Sequence, residues 1–293
     1  MNAAAKIDLA SIVQSAPGGF GAVIAHPDFD VLSADATFQA ALIPLLAKHL
    51  VLRIDAPPCS AEAIGRLQGV LGVSSQNKGP RLPGLEHVIQ FDTPAKAEAD
   101  PRADADAAQI MHHDSIGLAE PPAYAIVNTR SHPSKPSTYQ WIDMQAVYRD
   151  LPEAMKRRID GLSVLHPSLP DLVSVRTHRE VASMPAQARE NGVTHPMVVR
   201  SPHSGTPALT LSVRCDVKIV GMDADESLKL MTELWDFAEA SPHRWRSPMK
   251  GGEIFVWDNF ATLHDRPSFS SAEPRKVWFA NLAPQKPVAA FAA

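Results

Sequence analysis

Two histidines and one aspartate set the tightest limit on what this chain can fold into. His112 and Asp114 stand two residues apart in His112-His113-Asp114, and His264 lies far downstream. On a strand, residues i and i+2 point to the same face. An imidazole and a carboxylate would therefore project side by side into one space. A third ligand must arrive on another strand, and Val256-Trp257-Asp258-Asn259-Phe260-Ala261-Thr262-Leu263-His264 offers one. Any His-rich loop yields a His-x-Asp by chance, as a hydrogen-bonded pair at a loop edge, so the assignment has to be carried by the partners of these residues. His113 would point away from the pair, as a bystander.

The rest of the chain suits a strand-based frame. Proline occurs 26 times in 293 residues, roughly twice the usual ~5%, which favours short strands and ordered loops over a helical bundle. A hydrophobic content of 45% is enough for a proper core. The net charge of -4, with a pI near 6.3 and no basic block, argues against nucleic acid as a partner. No apolar run is long enough for a membrane span or marks the start as a secretory signal. Cys59 and Cys215 read as free thiols of a reducing cytoplasm.

Taken in order, Phe20–Ile24 reads as a first strand. Ser33-Ala34-Asp35 caps a helix whose apolar face holds Phe38, Leu42, Leu45 and Leu46. A buried strand follows over Leu50–Ile54, and Ser60 caps a second helix with Ile64, Leu67 and Leu71 on one face. Residues 73 to 84 form a polar loop in which Lys78 and Arg81 are candidate contacts for an anionic substrate. His87–Phe91 alternates like a strand. The Ala-, Asp- and Pro-rich stretch 94 to 108 has no apolar face and leaves room for a contact between copies of the chain.

Pro121-Pro122 opens another strand. Met144, Val147, Leu151, Met155, Ile159 and Leu162 keep one helical face, broken by Pro152 at the start of a second helix. Residues 163 to 194 are weakly periodic and too long for a connector. With the preceding helices they make an insertion, about 142–194, expected to act in part as a lid over a single domain spanning 1–293. Arg176 and Arg179 on it could hold an acid group, although each equally suits a solvated charge. His195–Arg200 resumes as strand, and Ser204-Gly205-Thr206 turns it into Ala208–Ser212. A helix opens at Asp225-Glu226-Ser227. Trp245-Arg246, Ile254–Asp258 and Arg275–Leu282 are the closing strands.

By His264 and Arg275 the pattern resembles the taurine/2-oxoglutarate (TauD/TfdA-like) Fe(II)-dependent dioxygenase family. The matching pieces, in family order, are His112-His113-Asp114, Pro121-Pro122-Ala123, Asp143-Met144-Gln145-Ala146-Val147-Tyr148, His195-Pro196, Gly252 to Asn259, His264 and Arg275. The resemblance implies a mainly β fold with flanking helices, built on a double-stranded β-helix (jelly-roll, cupin-like) core. It also implies Fe(II) held by His112, Asp114 and His264, with 2-oxoglutarate and O2 as cosubstrates. Two imidazoles and one carboxylate on one face of iron leave the opposite positions open. The implied reaction converts 2-oxoglutarate to succinate and CO2 while a C–H bond of a small molecule is oxidised. Arg275 would grip the distal carboxylate of 2-oxoglutarate as a bidentate fork; the plain alternative is a surface arginine on a strand. Asp114 argues for hydroxylation or a related oxidation, since halogenating relatives lack this carboxylate.

The departures from the family pattern bear on substrate. Where the family has a cosubstrate-binding Thr four residues before the aspartate matched by Asp143, this chain has Tyr139, with Thr138 one earlier. Either a one-residue bulge brings Thr138 into place or the Tyr139 hydroxyl substitutes. Taurine-type members carry a second Arg four residues after the cosubstrate Arg. Here that position is Phe279, followed by Ala280, which points away from taurine and toward a less anionic, aromatic or aliphatic substrate. Two rival functions use the same residues. One is a zinc hydrolase built on His112, Asp114, His195 and His264 with a metal-bound water. The other is a non-catalytic jelly-roll binding protein.

Overall fold

The computed structural model describes residues 7–17, 19–55, 58–75, 80–95, 109–135, 137–167, 191–214, 217–266 and 268–292. The first strands are β1 (Val13–Ser15), β2 (Ala22–Ala25), β3 (Val51–Asp55), β4 (Arg81–Leu82) and β5 (Leu85–Thr93). Then come β6 (Gln109–His112), β7 (Pro122–Ser131), β8 (Ser137–Asp143), β9 (Ser163–Pro167), β10 (Gly192–Pro196), β11 (Val198–Arg200) and β12 (Pro207–Leu209). The last four are β13 (Arg244–Met249), β14 (Ile254–Asp258), β15 (Thr262–Arg266) and β16 (Arg275–Pro284). Eight of them make the major sheet, in the order β1-β2-β3-β14-β7-β16-β5-β4, and four make the minor sheet, β13-β8-β15-β6.

Every residue of β14 is buried, as expected of a strand covered on both faces. One cover is the helix Ala36–His49, packed on β14 and β3. The other is aromatic. Phe255 and Trp257 of β14 meet Tyr139 and Trp141 of β8 across the gap between the sheets, with ring centroids 5.1 Å (Trp141–Phe255), 6.1 Å (Tyr139–Phe255) and 6.1 Å (Trp141–Trp257) apart. Alternation explains the match: residues of like parity on each strand share the inner face. Two packed sheets with helices outside are the jelly-roll architecture expected from the resemblance.

Several local expectations are refined. The first helical stretch is two helices, Phe29–Ala34 and Ala36–His49, because Asp35 leaves the helical conformation and caps the second through Phe38 N–H at 2.9 Å. Ser60 caps Ala61–Leu71 as expected. The weakly periodic stretch after 162 opens as a strand: β9 pairs antiparallel with β10. Of the expected lid, residues 168–190 lie outside those described, and so do most of the loop 94 to 108 and Cys215. Strand β13 runs through Pro248, which is tolerated because β13 is an edge strand of its sheet. Cys59 is a buried free thiol. Among the described residues no helix is long and apolar enough to cross a membrane.

The turn between β14 and β15 holds the sheets in register. Asp258 Oδ1 accepts from the backbone N–H groups of Phe260 and Ala261, both at 2.9 Å, and Oδ2 accepts from the Ser201 hydroxyl at 2.9 Å. Burial nevertheless pushes the Asp258 carboxyl up to about 6. A raised carboxyl binds its proton in the folded state over a range where the unfolded chain has released it. Its contribution to stability therefore falls as pH rises from the unfolded value near 3.8 to about 6. Asp258→Asn keeps an acceptor for both amides and removes the titration. Urea unfolding between pH 4 and 6 should then lose about 2 kcal/mol less than wild type. Identical pH slopes for the two proteins would exclude Asp258 as the titrating group.

Candidate functional site

Strand β15 lies inside the minor sheet, between β8 and β6, and this placement assembles the site. His264 stands opposite His112 of β6 on one side and Trp141 of β8 on the other. The His112 and His264 rings are 4.3 Å apart, and the Trp257 ring closes on His264 at 4.7 Å. Asp114 follows just beyond the end of β6. Its Oδ1 lies 3.5 Å from His112 Nε2 and 3.8 Å from His264 Nε2. One potential ligand atom from each of the three residues lies within 4.8 Å of the others.

The position of Asp114 is set by a residue of the β14–β15 turn. Asn259 Oδ1 accepts from the Asp114 N–H at 2.7 Å, and Asn259 Nδ2 donates to the carbonyls of Asp114 and Pro122, each at 2.9 Å. His113 points away from the pair, is buried, and engages the Asn259 carbonyl through Nδ1 at 2.9 Å. It anchors the loop rather than idling on it. Ser115 then adopts φ 50°, the left-handed region, where a side chain costs about 1 kcal/mol. The chain thus accepts strain to turn immediately after Asp114.

The donor set fits a divalent transition metal. His112 Nδ1 donates to the Ile110 carbonyl at 2.6 Å, which fixes the ring with Nε2 facing Asp114. Burial drives His264 down to about 3 and His113 down to about 4, so both rings are neutral. Burial also pushes the Asp114 carboxyl up, but the imidazoles of His264 and His112 outweigh it and hold the group below its ordinary value. Asp114 Oδ2 is buried without a hydrogen-bond partner. A carboxylate with an orphaned oxygen beside two imidazoles is the arrangement a bound cation completes.

Arg275 opens β16 and is buried, only 6% exposed. Its Nη2 donates to the Tyr139 hydroxyl at 3.3 Å, its guanidinium lies 4.7 Å from the centre of the Phe269 ring, and Nε has no partner. Among the described residues it makes no ion pair. Tyr139 is buried and faces inward, whereas Thr138 is exposed. No bulge exchanges them, because β8 pairs with β13 in unbroken register, Thr138 with Pro248 and Tyr139 with Ser247.

The other sequence candidates are dispersed. Phe279 packs against Phe91, ring to ring at 6.2 Å. Arg81 sits on β4 at the far edge of the major sheet. Lys78, Arg176 and Arg179 lie outside the described residues. His195, the fourth ligand of a zinc hydrolase, instead donates through Nε2 to the Leu118 carbonyl at 2.9 Å and stands outside the cluster.

Asn259 stands in the Gly252 to Asn259 stretch of the family pattern, but nothing local in the sequence tells that its amide bridges backbone groups of Asp114 and Pro122. Asn259→Ala should lower the affinity of the metal-free chain for Co(II) or Mn(II) by about 10–100-fold. Anaerobic titration calorimetry checks this, and an affinity within threefold of wild type would deny Asn259 the positioning role.

Comparison with known proteins agrees with the geometry. The family model described as taurine catabolism dioxygenase TauD, TfdA family matches residues 12–280. A pentalenolactone F synthase of Streptomyces arenae is 27% identical over 141 residues, 45% of this chain and 47% of that protein, so the chain aligns with about half of that relative. An alpha-ketoglutarate-dependent sulfate ester dioxygenase of Pseudomonas putida is 25% identical over 275 residues, covering 89% of this chain and 84% of that protein. A crystal structure of a taurine dioxygenase from Burkholderia xenovorans superposes with TM-score 0.72 at 21% identity, over 95% of this chain and 91% of that one. The structure of AAD-2 in complex with Mn(II) and N-oxalylglycine superposes with TM-score 0.71 at 19% identity, over 94% and 98%. With a family model spanning nearly its whole length and the fold to match, the chain belongs to the TauD/TfdA family of 2-oxoglutarate-dependent dioxygenases.

Proposed function

We propose that this protein is an Fe(II)- and 2-oxoglutarate-dependent dioxygenase that oxidises, by hydroxylation or a related step, a C–H bond of a small organic molecule. Succinate and CO2 are the co-products. The observation that carries this reading is the buried, unpaired Arg275 joined through Tyr139 and Trp141 to the row that ends in His264 and His112. A hydrolase or a binding protein has no use for a carboxylate clamp beside its metal ligands.

Each side chain has a separate task. His112, Asp114 and His264 would hold the metal. Fe(II) bound there would supply the redox chemistry that couples consumption of 2-oxoglutarate and O2 to C–H oxidation. Arg275 receives the distal carboxylate of 2-oxoglutarate, and the Tyr139 hydroxyl orients the guanidinium. Burial of both strengthens that charge-assisted contact by excluding water. Phe279 keeps a second cation out of the position where taurine-type members place one, so the substrate is less anionic than taurine. The protein works as a single catalytic domain in the cytoplasm.

The test is 2-oxoglutarate consumption with succinate as the readout. Turnover should require Fe(II) and fall by more than about 100-fold in His112→Ala, Asp114→Ala and His264→Ala, in line with loss of a ligand from a catalytic metal. Turnover within twofold of wild type in any of the three would refute the ligand set. Arg275→Gln removes a charged hydrogen-bonding partner worth about 2–3 kcal/mol. It should raise the 2-oxoglutarate KM by about 30–100-fold and leave metal affinity unchanged. An unaltered KM would place the cosubstrate carboxylate elsewhere.

A further inference from the structure

The inner face of β7 carries a hydroxyl that the chain itself leaves unused. Phe255 of β14 faces the gap between the sheets, where it stacks on Tyr139. It pairs with Val127 of β7, and residues paired across neighbouring strands share a face. Thr129, two residues further on, therefore faces the gap as well. Asn128 and Arg130 point the other way, bonded to each other at 3.1 Å, with the Arg130 guanidinium over the Trp278 ring.

Thr129 is fully buried, and its Oγ1 has no hydrogen-bond partner. Its backbone, by contrast, is fully engaged. The N–H donates to the Glu253 carbonyl at 3.0 Å, and the carbonyl accepts from the Gly252 N–H at 2.6 Å. Strand β7 lies inside the major sheet, between β14 and β16, so the side chain is presented from a rigid place. A buried hydroxyl with nothing to bond is costly. Valine has nearly the same shape, suits a strand equally well and would avoid that cost.

The neighbour that gives this hydroxyl a use is Arg275. Thr129 pairs with Val277 of β16, and Arg275 stands two residues before Val277, buried on the same inward side. Diagonal neighbours on one sheet face stand roughly 7–8 Å apart, within reach of a long side chain. On its other side Thr129 has Phe255 as its diagonal neighbour. Arg275 and Phe255 both touch Tyr139, one by a hydrogen bond and the other by stacking. Thr129 therefore stands between the two residues that meet at Tyr139. Among the described residues, its O–H and the Arg275 Nε–H are donors with no acceptor. Two unmet donors at neighbouring positions, one of them cationic, call for one anionic acceptor.

We propose that the Thr129 hydroxyl is a second donor to the distal carboxylate of 2-oxoglutarate, beside Arg275. The inference rests on the dioxygenase reading and adds a binding residue to it. A carboxylate has two oxygens and about four lone-pair sites, so it accepts from a guanidinium and a hydroxyl together. Only a 2-oxo acid with a second carboxylate collects this contact. Thr129 thus helps to select a dicarboxylic cosubstrate over monocarboxylic 2-oxo acids, which leave its hydroxyl unmet.

The test is calorimetric titration of the full chain, loaded with Zn(II), with 2-oxoglutarate and with 2-oxopentanoate. The second acid has the same carbon chain and a methyl group in place of the distal carboxylate. Thr129→Val should weaken 2-oxoglutarate binding about tenfold and leave 2-oxopentanoate binding within twofold of wild type. Its melting temperature should be no lower than wild type, because the hydroxyl it removes has no partner in the protein. Thr129→Ser keeps the hydroxyl and should recover most of the loss. Wild-type affinity for 2-oxoglutarate in Thr129→Val, or no recovery in Thr129→Ser, overturns the proposal. An equal loss for both acids marks a packing effect and overturns it too, as does a lower melting temperature in Thr129→Val. Failure of the wild type to bind 2-oxoglutarate at all would instead strike the dioxygenase reading, and this inference with it.

Discussion

A carboxylate pressed between two imidazoles, with one of its oxygens buried and unpartnered, is not a stable end state for a protein interior. Asp114 is in that position, with 13% of its side chain exposed and Oδ2 without a partner. A divalent cation resolves the imbalance at one stroke, because it accepts the carboxylate and both ring lone pairs together. Much of the nearby structure serves to hold these three groups in place. The minor sheet puts His112 and His264 in register, Asn259 pins both backbone groups of Asp114, and Asp258 secures the turn that carries Asn259.

A second constraint adjoins the first. The aromatic row from Trp257 through Trp141 to Tyr139 fills the gap between the sheets and ends at the Arg275 guanidinium. The cation and the metal ligands therefore share one rigid, water-poor interior instead of meeting across a mobile loop. Rigid side chains suit the constant parts of a reaction, the metal and the cosubstrate. Relatives whose names include a sulfate ester dioxygenase and a pentalenolactone F synthase point to substrates that vary from member to member of the family.

Much of this was legible in the residues alone, and the rest was hidden for physical reasons. Ser60 announced its helix because a cap is a local interaction, and Ile254–Asp258 announced its strand because burial on both faces leaves a continuous apolar run. The clustering of His112, Asp114 and His264 followed from a two-residue spacing and a distant histidine. The choice between Thr138 and Tyr139 turned on parity: Tyr139 shares the inner face with Trp141, which pairs with His264. Strand β9 was missed because five residues give little periodicity and their partner lies beyond a long excursion. The clamp of Asn259 on Asp114 and the unmet hydroxyl of Thr129 depend on contacts between residues far apart in sequence, and no local pattern encodes them.

The most direct test of the central claim is an anomalous difference map at the iron edge, from crystals of the full chain soaked anaerobically with Fe(II) and 2-oxoglutarate. One peak within bonding distance of His112 Nε2, an Asp114 carboxylate oxygen and His264 Nε2 is the expected result. A peak bonded to only one of these groups, or sited in another part of the protein, would contradict it.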